Sequence, residues 1–344
     1  MPSLMRTEAL QTAEVVSYML SQDVGRYAAW GEQMVEAAPR QVMTVARGSS
    51  DHAASYLAYL LALETGKVVT SLPLSLVSLH QRRLEVQNCL AIAISQSGRS
   101  PDLLATLQAL SYQGACTTAL VNDATSPLAT QAQWSFPLHA GAEYSVAATK
   151  SYIASLVAAV RLVAHWSRAL GVSDLLLTAL QDLPQALQQA TQIDWSRAID
   201  TMLNARSAMV LGRGLGLAVA QEAALKLKET SCLQAEAFSG AEVLHGPMAL
   251  IGSGYPLIVF ALPGPALAGQ RRLAQEMRQR GAQVLLVATA EVAEADVRIP
   301  DAPHDALSPI LAIQCFYLFA EQLAQARGLD PDTPKHLQKV TLTL

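Results

Sequence analysis

The sequence predicts an α/β protein with two tandem, doubly wound parallel sheets, each part of a three-layer α/β/α domain. Short apolar runs alternate with helical sequence, which is the pattern of parallel βα units. One strand–turn–helix unit occurs twice, 166 residues apart. The chain has 344 residues, of which 51% are hydrophobic and 15% charged, enough for roughly two domains with large cores.

The repeated unit is a strand that enters an Arg-Gly turn and continues into a helix. Two further matches follow in the same order: a second strand that ends in a glycine loop, and a Gly-Ala pair that opens a third strand. The matched segments are 42–48 with 208–214, 90–98 with 256–264, and 114–121 with 281–287. The helices after the Arg-Gly turns are predicted at 52–63 and 217–227. Three ordered matches at nearly one offset indicate two domains of one fold.

The elements also predict where the domains begin and end. A helical linker with a break at Pro184 separates the two repeats. The predicted segments are a leading helix (1–24), a first domain (25–170), the linker (171–194), a second domain (195–334) and a C-terminal tail (335–344).

Composition excludes several classes of function. The net charge is −4 without a long basic run, so we expect no nucleic-acid partner. The four cysteines are scattered, with no CxxC pair, which predicts buried, reduced thiols and no zinc site. We find no signal-peptide pattern, and Arg161 and His165 interrupt the longest apolar stretch. These observations predict a soluble, cytoplasmic protein without a membrane partner.

The loop Ser95-Gln96-Ser97-Gly98-Arg99-Ser100 follows the apolar run that begins at Leu90. A strand end that feeds a helix N-terminus offers backbone N–H groups and a favourable dipole to an anion. The three serine hydroxyls add donors, so this loop is a candidate phosphate site although it lacks the Walker pattern. An ordinary strand–turn–helix junction explains the segment equally well.

The second copy has Leu262-Pro263-Gly264-Pro265 at the corresponding loop. Proline has no N–H group to donate, so this loop is a poor anion site. A single bound phosphate is therefore expected in the first domain.

The turn at Arg47-Gly48 places Ser49 and Ser50 at a strand end, where open α/β sheets bind ligands. Helix capping by Ser50 or Asp51 is the favoured alternative at this stage.

The segment 141–150 precedes a long helix, and its small residues permit close backbone approach. Its Glu143 and Lys150 are either site residues or, as favoured here, a solvated ion pair.

Three charged residues of one helix share a face, because Glu222, Lys226 and Glu229 follow the i, i+4, i+7 spacing. A surface salt bridge is the usual explanation, but a carboxylate beside a cation can also act as a proton-transfer base.

His245 precedes Gly-Pro in a predicted turn, and histidine moves protons near neutral pH. Lys339 alone would be assigned to a solvated tail.

Several of these motifs, in their order, resemble the SIS (sugar isomerase) domain family, and in particular the isomerase part of glucosamine-6-phosphate synthase. The resemblance covers nearly the whole chain. The segments that carry it are Ile94-Ser-Gln-Ser-Gly98, Ala148-Thr-Lys150, 223–229, His245-Gly-Pro247 and Leu337-Gln-Lys339-Val-Thr.

The resemblance implies a role for each candidate residue. Glu229 would move a proton between C1 and C2 of a sugar phosphate, and Lys339 would lie near its open-chain carbonyl. His245 would assist ring opening across the interface of a homodimer. The residues implied in substrate or phosphate binding are Ser49, Ser50, Ser95, Gln96, Ser97, Ser100, Val146, Ala148, Glu222 and Lys226. No metal or other cofactor is expected, because the adjacent carbonyl already acidifies the transferred proton.

Two departures from the synthase pattern point to a different reaction. The synthase's glutaminase segment, with its N-terminal cysteine, is not found, and Arg47 and Arg99 resemble the SIS-type amino-sugar phosphate deaminases. The resemblance therefore implies that glucosamine 6-phosphate and water give fructose 6-phosphate and ammonia. The alternatives are a galactosamine-6-phosphate deaminase or isomerase, a fructosamine-phosphate deglycase, and a regulator that binds a sugar phosphate without turnover.

Overall fold

A computed structural model describes residues 2–339, and it divides into two compact units. The N-sheet unit comprises Glu14–Glu143, Lys150–Gln181 and, of the described residues, 338–339. The C-sheet unit comprises 2–13, Tyr144–Thr149 and Asp182–Leu337. Met1 of the predicted leading helix and 340–344 of the predicted tail lie outside the described residues. The domain boundaries proposed above stay predictions.

Helices and strands alternate along most of the described chain. The strands are β1 (Gln41–Val45), β2 (Val69–Ser71), β3 (Cys89–Ser95), β4 (Cys116–Val121), β5 (Trp134–Pro137), β6 (Ser207–Gly212), β7 (Gln234–Ser239), β8 (Pro256–Phe260), β9 (Gln283–Thr289) and β10 (Val297–Ile299). The α-helices are α1 (Leu4–Leu10), α2 (Thr12–Ser21), α3 (Val24–Ala37), α4 (Ser49–Thr65), α5 (Ser75–Ser78), α6 (Pro101–Tyr112), α7 (Pro127–Gln131), α8 (Lys150–Ala169), α9 (Leu175–Ala179), α10 (Leu183–Ala190), α11 (Ser196–Met202), α12 (Leu215–Ser231), α13 (Leu267–Gln279) and α14 (Ser308–Ala326).

The N-sheet unit contains one parallel sheet with the strand order β2-β1-β3-β4-β5. Every residue of β3 is buried, as expected for a central strand covered on both faces. From β1 the chain goes outward to β2, and from β3 it goes to β4 on the other side. The connections therefore diverge between β1 and β3, and ligands of open α/β sheets bind at the carboxyl ends of strands at such a point.

Helices cover both faces of this sheet. Met43 and Val45 of β1 pack with Leu103 and Leu107 of α6 in one apolar cluster. Helices α5, α6 and α7 pack together, and α3, α4 and α8 form a second group. Helix α8 is buried along nearly its whole length.

The C-sheet unit repeats this architecture. Its parallel sheet has the order β7-β6-β8-β9-β10, which is the same order read from corresponding strands. Gly48 has φ 56° and ψ −134°, and Gly214 has φ 60° and ψ −133°. Helices α4 and α12 each contain 17 residues and begin 166 positions apart. The predicted fold of two tandem doubly wound α/β sheets is confirmed.

Some local predictions were wrong. The N-cap of α4 is Gly48, and the helix begins at Ser49, so Ser50 and Asp51 lie inside its first turn and do not cap it. The leading segment contains α1 and α2 rather than one helix. Of the four cysteines expected to be buried, Cys89 and Cys315 are buried, Cys116 is half-buried, and Cys232, the C-cap of α12, is exposed.

One described segment, Asp305–Ala326, is long and apolar enough to cross a membrane. Its most apolar window is 94% buried inside the protein, where it packs as a core helix.

Candidate functional site

The serine loop spans the six residues between Ile94 of β3 and the start of α6. Ser95 is buried, and its Oγ accepts a hydrogen bond of 3.0 Å from the N–H of Gly98. Ser97 Oγ accepts a weaker one of 3.3 Å from Arg99 N–H. Ser97 and Ser100 are half-buried, and Ser100 Oγ makes no hydrogen bond within the described residues. The predicted donors thus line one loop, with the Ser100 hydroxyl available.

Gly98 makes this loop possible. Its φ of +64° is readily adopted only by glycine. A Cβ atom at this position would lie 2.8 Å from Val121 Cγ2 and 2.6 Å from Ser126 Cβ. The loop is therefore closely packed against β4 and the start of α7, which fixes its conformation.

The Arg-Gly turn lies beside the serine loop, because β1 and β3 are neighbouring parallel strands. Ser49 and Ser50 are half-buried at the N-terminus of α4. Arg47 Nε donates to Asp102 Oδ2 at 3.0 Å, which links the Arg-Gly turn to the first turn of α6, directly after the serine loop. The structure therefore brings together the sequence-predicted phosphate residues of the N-sheet unit.

A second arginine flanks the serine loop on its exposed side. The Arg99 guanidinium lies 2.8 Å from Asp123 Oδ2. Hydrogen bonds from Thr125, followed by those from Arg99, lower the pKa of Asp123 to about 2. The charge of Arg99 is therefore paired at neutral pH.

Glu143 and Lys150 are both buried, so the favoured solvated ion pair was wrong. Glu143 accepts hydrogen bonds from the backbone N–H and the hydroxyl of Ser151, at 3.1 and 2.6 Å. Lys339 Nζ lies 2.8 Å from Glu143 Oε2. Lys339 is thus not a solvated tail charge: its side chain is 22% exposed and bound to a buried carboxylate of the N-sheet unit.

The segment with Val146 and Ala148 belongs to the C-sheet unit. The buried carboxylate of Glu8 in α1 accepts hydrogen bonds from the backbone N–H groups of Tyr144 and Ser145, at 2.5 and 3.2 Å. Val146 N–H donates to the carbonyl of Asp332. Val146 and Ala148 are half-buried, and their role as substrate contacts stays a prediction.

The charged face of α12 is buried, which overturns the expectation of a surface salt bridge. Glu222 and Lys226 are both 0% exposed, whereas the side chain of Glu229 is 19% exposed. Lys226 Nζ lies 3.3 Å from Glu222 Oε1 and 2.5 Å from Glu229 Oε2. The Tyr317 hydroxyl donates to Glu222 at 3.4 Å.

The two carboxylates of this charge triad favour the charged form of Lys226. Burial by itself lowers the pKa of Lys226, but the carboxylates of Glu222 and Glu229 outweigh burial and raise it. Lys226 is therefore an ammonium ion between two carboxylates. Glu229 is the member that reaches solvent, and a carboxylate held in this way can exchange a proton with a bound molecule.

His245 is the last residue of the 3-10 helix Glu242–His245, directly before Gly246 with φ +150°. The turn predicted from His-Gly-Pro is present, and the side chain is exposed. Its role across an interface between subunits stays a prediction.

Sequence reasoning missed four residues that hold these segments: Asp102, Glu8, Asp332 and Tyr317. Asp102 resembles any acidic residue in a first helical turn. Glu8, Asp332 and Tyr317 act over long sequence separations, which a single sequence does not show. The burial of Glu8, Asp102 and Tyr317 becomes visible only with the fold, since acidic side chains are seldom buried unless they are paired.

Comparisons with known proteins agree with the fold and motifs. The SIS domain matches residues 37–165 and 201–325. Glutamine–fructose-6-phosphate aminotransferase [isomerizing] of Thermus thermophilus is 32% identical over 313 residues, which are 87% of this chain and 51% of that protein. The corresponding enzyme of Halobacterium salinarum is 33% identical over 310 residues, again 87% and 51%. The chain thus spans about half the length of the curated relatives it matches.

Solved structures show the same likeness. A proposed phosphosugar isomerase from Silicibacter pomeroyi has 39% identity and a TM-score of 0.88, over 96% of this chain and 100% of that one. Glucosamine-6-phosphate deaminase from Thermotoga maritima has a TM-score of 0.77 with 22% identity, over 99% and 100%, and so shows the fold alone. Both halves of this chain match the family, and the chain belongs to the SIS domain family.

Proposed function

We propose that this chain is a phosphosugar isomerase-type enzyme, and more specifically an amino-sugar phosphate deaminase. In the proposed reaction, glucosamine 6-phosphate and water give fructose 6-phosphate and ammonia. The observation that carries the proposal is the charge triad of α12, in which the partly exposed Glu229 is held 2.5 Å from the buried Lys226. A protein that only binds a sugar phosphate needs anion donors but no such base.

The serine loop is assigned to the phosphate group. Ser95, Ser97 and Ser100, the amide of Gln96 and the N-terminus of α6 supply donors without a charge of their own. Ser49 and Ser50 at the start of α4 add to them. Phosphate binding by this part of the chain would supply binding energy that positions the reacting carbons.

Glu229 is assigned to the proton transfer. After ring opening, its carboxylate removes the proton from C2, which the neighbouring aldehyde acidifies. Protonation at C1 then converts the aldose amine to an imine at C2. Water adds to C2 and ammonia leaves, so fructose 6-phosphate is formed with no change in overall oxidation state. Lys226, itself paired with Glu222, fixes the position of the Glu229 carboxylate.

Two further residues complete the proposed machinery. His245 is assigned to ring opening, since an exposed histidine at a turn can deliver or accept a proton at the ring oxygen. Lys339 is assigned to the open-chain carbonyl, and the buried Glu143 fixes its amine. Val146 and Ala148 are assigned to backbone contacts with the sugar.

The release of ammonia is the finer part of the proposal. Its support is the pair Arg47 and Arg99, which by resemblance accompanies the SIS-type deaminases rather than the synthase. We also infer a homodimer in which His245 acts in the partner's site, and a cytoplasmic location.

An ammonia-release assay tests the proposal directly. Purified protein is supplied in turn with glucosamine, galactosamine and fructosamine 6-phosphates, and ammonia and ketose phosphate are measured together. We expect the highest kcat/KM with glucosamine 6-phosphate. Ammonia from either other substrate alone would move the assignment to that substrate. Ammonia from none would contradict the deaminase, and the absence of ketose phosphate as well would favour a regulator.

A further inference from the structure

We propose that Arg47 is a specificity-determining ligand of the substrate phosphate, which selects the dianionic phosphate ester. This inference rests on the proposed function, because it concerns the same phosphate site. It adds the guanidinium of Arg47 to the hydroxyl and amide donors of the serine loop, whose own cation, Arg99, is paired with Asp123.

Arg47 is held beside the serine loop by Asp102 of α6. Arg47 lies two residues after the end of β1, and Asp102 lies in the first turn of α6, two residues after Ser100. The bond from Arg47 Nε to Asp102 Oδ2 is 3.0 Å long. The guanidinium therefore links the turn after β1 to the first turn of α6, where the strand connections diverge.

Asp102 fixes this position strongly. Its side chain is fully buried, and its Oδ1 accepts a hydrogen bond of 2.8 Å from the N–H of Leu103. A buried carboxylate needs a cation partner, since an uncompensated buried charge is costly. Arg47 supplies that charge and is held at its Nε in return.

The rest of the guanidinium remains available. The side chain of Arg47 is 52% exposed, and within the described chain only its Nε has a hydrogen-bond partner. The two terminal nitrogens form a planar fork that matches two phosphate oxygens. Arg99, the other cation beside the loop, is already paired with Asp123.

The C-sheet unit provides an internal comparison. Arg213 occupies the position of Arg47 in the repeat, and Ala268 occupies that of Asp102. Arg213 makes no side-chain hydrogen bond or ion pair in the described chain, and its neighbouring loop contains prolines. The fold therefore does not require the Arg–Asp pair, which accompanies the hydroxyl loop.

The test measures binding of glucosamine 6-phosphate and of inorganic phosphate by calorimetry. The variants are R47K, R47M and, as the matched control, R213M. We expect R47M to weaken phosphate-dependent binding roughly tenfold to a hundredfold, as for loss of a charge-assisted pair, and R47K to recover part of it. Glucosamine without phosphate should bind equally to all four proteins, and R213M should match the wild type.

The pH dependence separates a phosphate ligand from a structural counterion. Wild-type affinity should rise as the ester loses its second proton near pH 6, and R47M should flatten this rise. Because R47M leaves Asp102 buried and unpaired, the double variant R47M/D102N serves as a second probe. It should recover thermal stability but not phosphate affinity.

The outcomes distinguish this inference from the proposed function. If R47M and the double variant bind the ester as tightly as the wild type, while Ser97→Ala binds it weakly, Arg47 is only a counterion and the inference fails. If the wild type binds the ester more tightly than R47M and the double variant do but releases no ammonia, the proposed function fails while the role of Arg47 stands.

Discussion

The two sheet units have one architecture but different chemistry at equivalent positions. Their strand orders correspond, and Gly48 and Gly214 have almost the same backbone angles. The loops after β3 and β8 nevertheless share only their glycine. The aligned residues, from Ser95 to Ser100, are Ser/Ala261, Gln/Leu262, Ser/Pro263, Gly/Gly264, Arg/Pro265 and Ser/Ala266. A duplicated fold has thus kept anion donors in one copy and replaced them with apolar residues and prolines in the other.

The difference is reversed in the helices that follow the Arg-Gly turns. Helix α12 of the C-sheet unit buries Glu222 and Lys226 and presents Glu229, whereas α4 buries mainly alanine, leucine and tyrosine. The comparison indicates a division of tasks: the N-sheet unit is suited to hold a phosphate, and the C-sheet unit is suited to move a proton.

The largest effect on stability should come from Lys226→Met in the C-sheet unit. The change leaves two carboxylates without their cation, one of them fully buried, and we expect a loss of about 3–5 kcal/mol in unfolding free energy. The control is Arg280→Met, which removes an exposed pair with Glu276 and should change stability by less than about 1 kcal/mol. Urea unfolding measures the unfolding free energy of both variants, and an equal loss in Lys226→Met and Arg280→Met would contradict the prediction.

The two loop glycines form a matched pair for the next prediction. Both have positive φ, but a Cβ at Gly98 meets Ser126 and Val121, whereas at Gly264 the nearest atom is Asp305 Oδ2 at 3.7 Å. Gly98→Ala should therefore be less stable than Gly264→Ala by about 1–3 kcal/mol, the usual range for overpacking. It should also lose phosphate binding, which Gly264→Ala should keep. Thermal unfolding and phosphate titration measure the two effects.

Acid should act on the N-sheet unit through His165 of α8. Burial, and then Arg161 and Arg168, lower the pKa of His165 to about 4. The unfolded chain takes up this proton below about pH 6.5, but the folded chain only near pH 4, so stability falls as the pH drops through this window. His165→Phe should remove about 1–2 kcal/mol of that fall. The unfolding free energies of the wild type and of His165→Phe at pH 7 and pH 4.5 measure this effect. An equal loss of stability in both proteins between the two pH values would contradict the role of His165.

The smallest effect is expected from one hydroxyl of the serine loop. Ser97→Ala should weaken binding of the sugar phosphate about fivefold, because one hydrogen bond contributes about 1 kcal/mol. Pro263→Ala, at the same position of the other copy, should leave binding unchanged. If Pro263→Ala weakens binding as much as Ser97→Ala, the two loops are not divided as described.

The sequence predicted most of the fold because the signal is local and repeated. Apolar runs such as 90–94 and the two Arg-Gly turns identify the βα units and their order. The serine loop was also predicted, since its donors are contiguous. The capping of α4 was not, because a glycine N-cap at Gly48 has no side chain that would mark it.

Burial was the harder part of the site. The charges of Glu143, Lys226 and Lys339 have the same appearance in sequence as solvated charges, and only packing distinguishes them. Lys226 pairs with Glu222, which also accepts a hydrogen bond from Tyr317 of α14, and Glu143 meets Lys339 across 196 positions. Such long-range pairs leave no periodic pattern in a single chain.

The division of tasks is tested most directly by hydrogen exchange at C2 of glucosamine 6-phosphate in D2O, followed by NMR, with Glu229→Gln at saturating substrate. The account predicts that the variant binds the substrate with an affinity close to that of the wild type but incorporates deuterium at least roughly a hundredfold more slowly. Glu276→Gln, an exposed carboxylate of α13, should exchange at the wild-type rate. Exchange by Glu229→Gln at the wild-type rate would contradict the central claim.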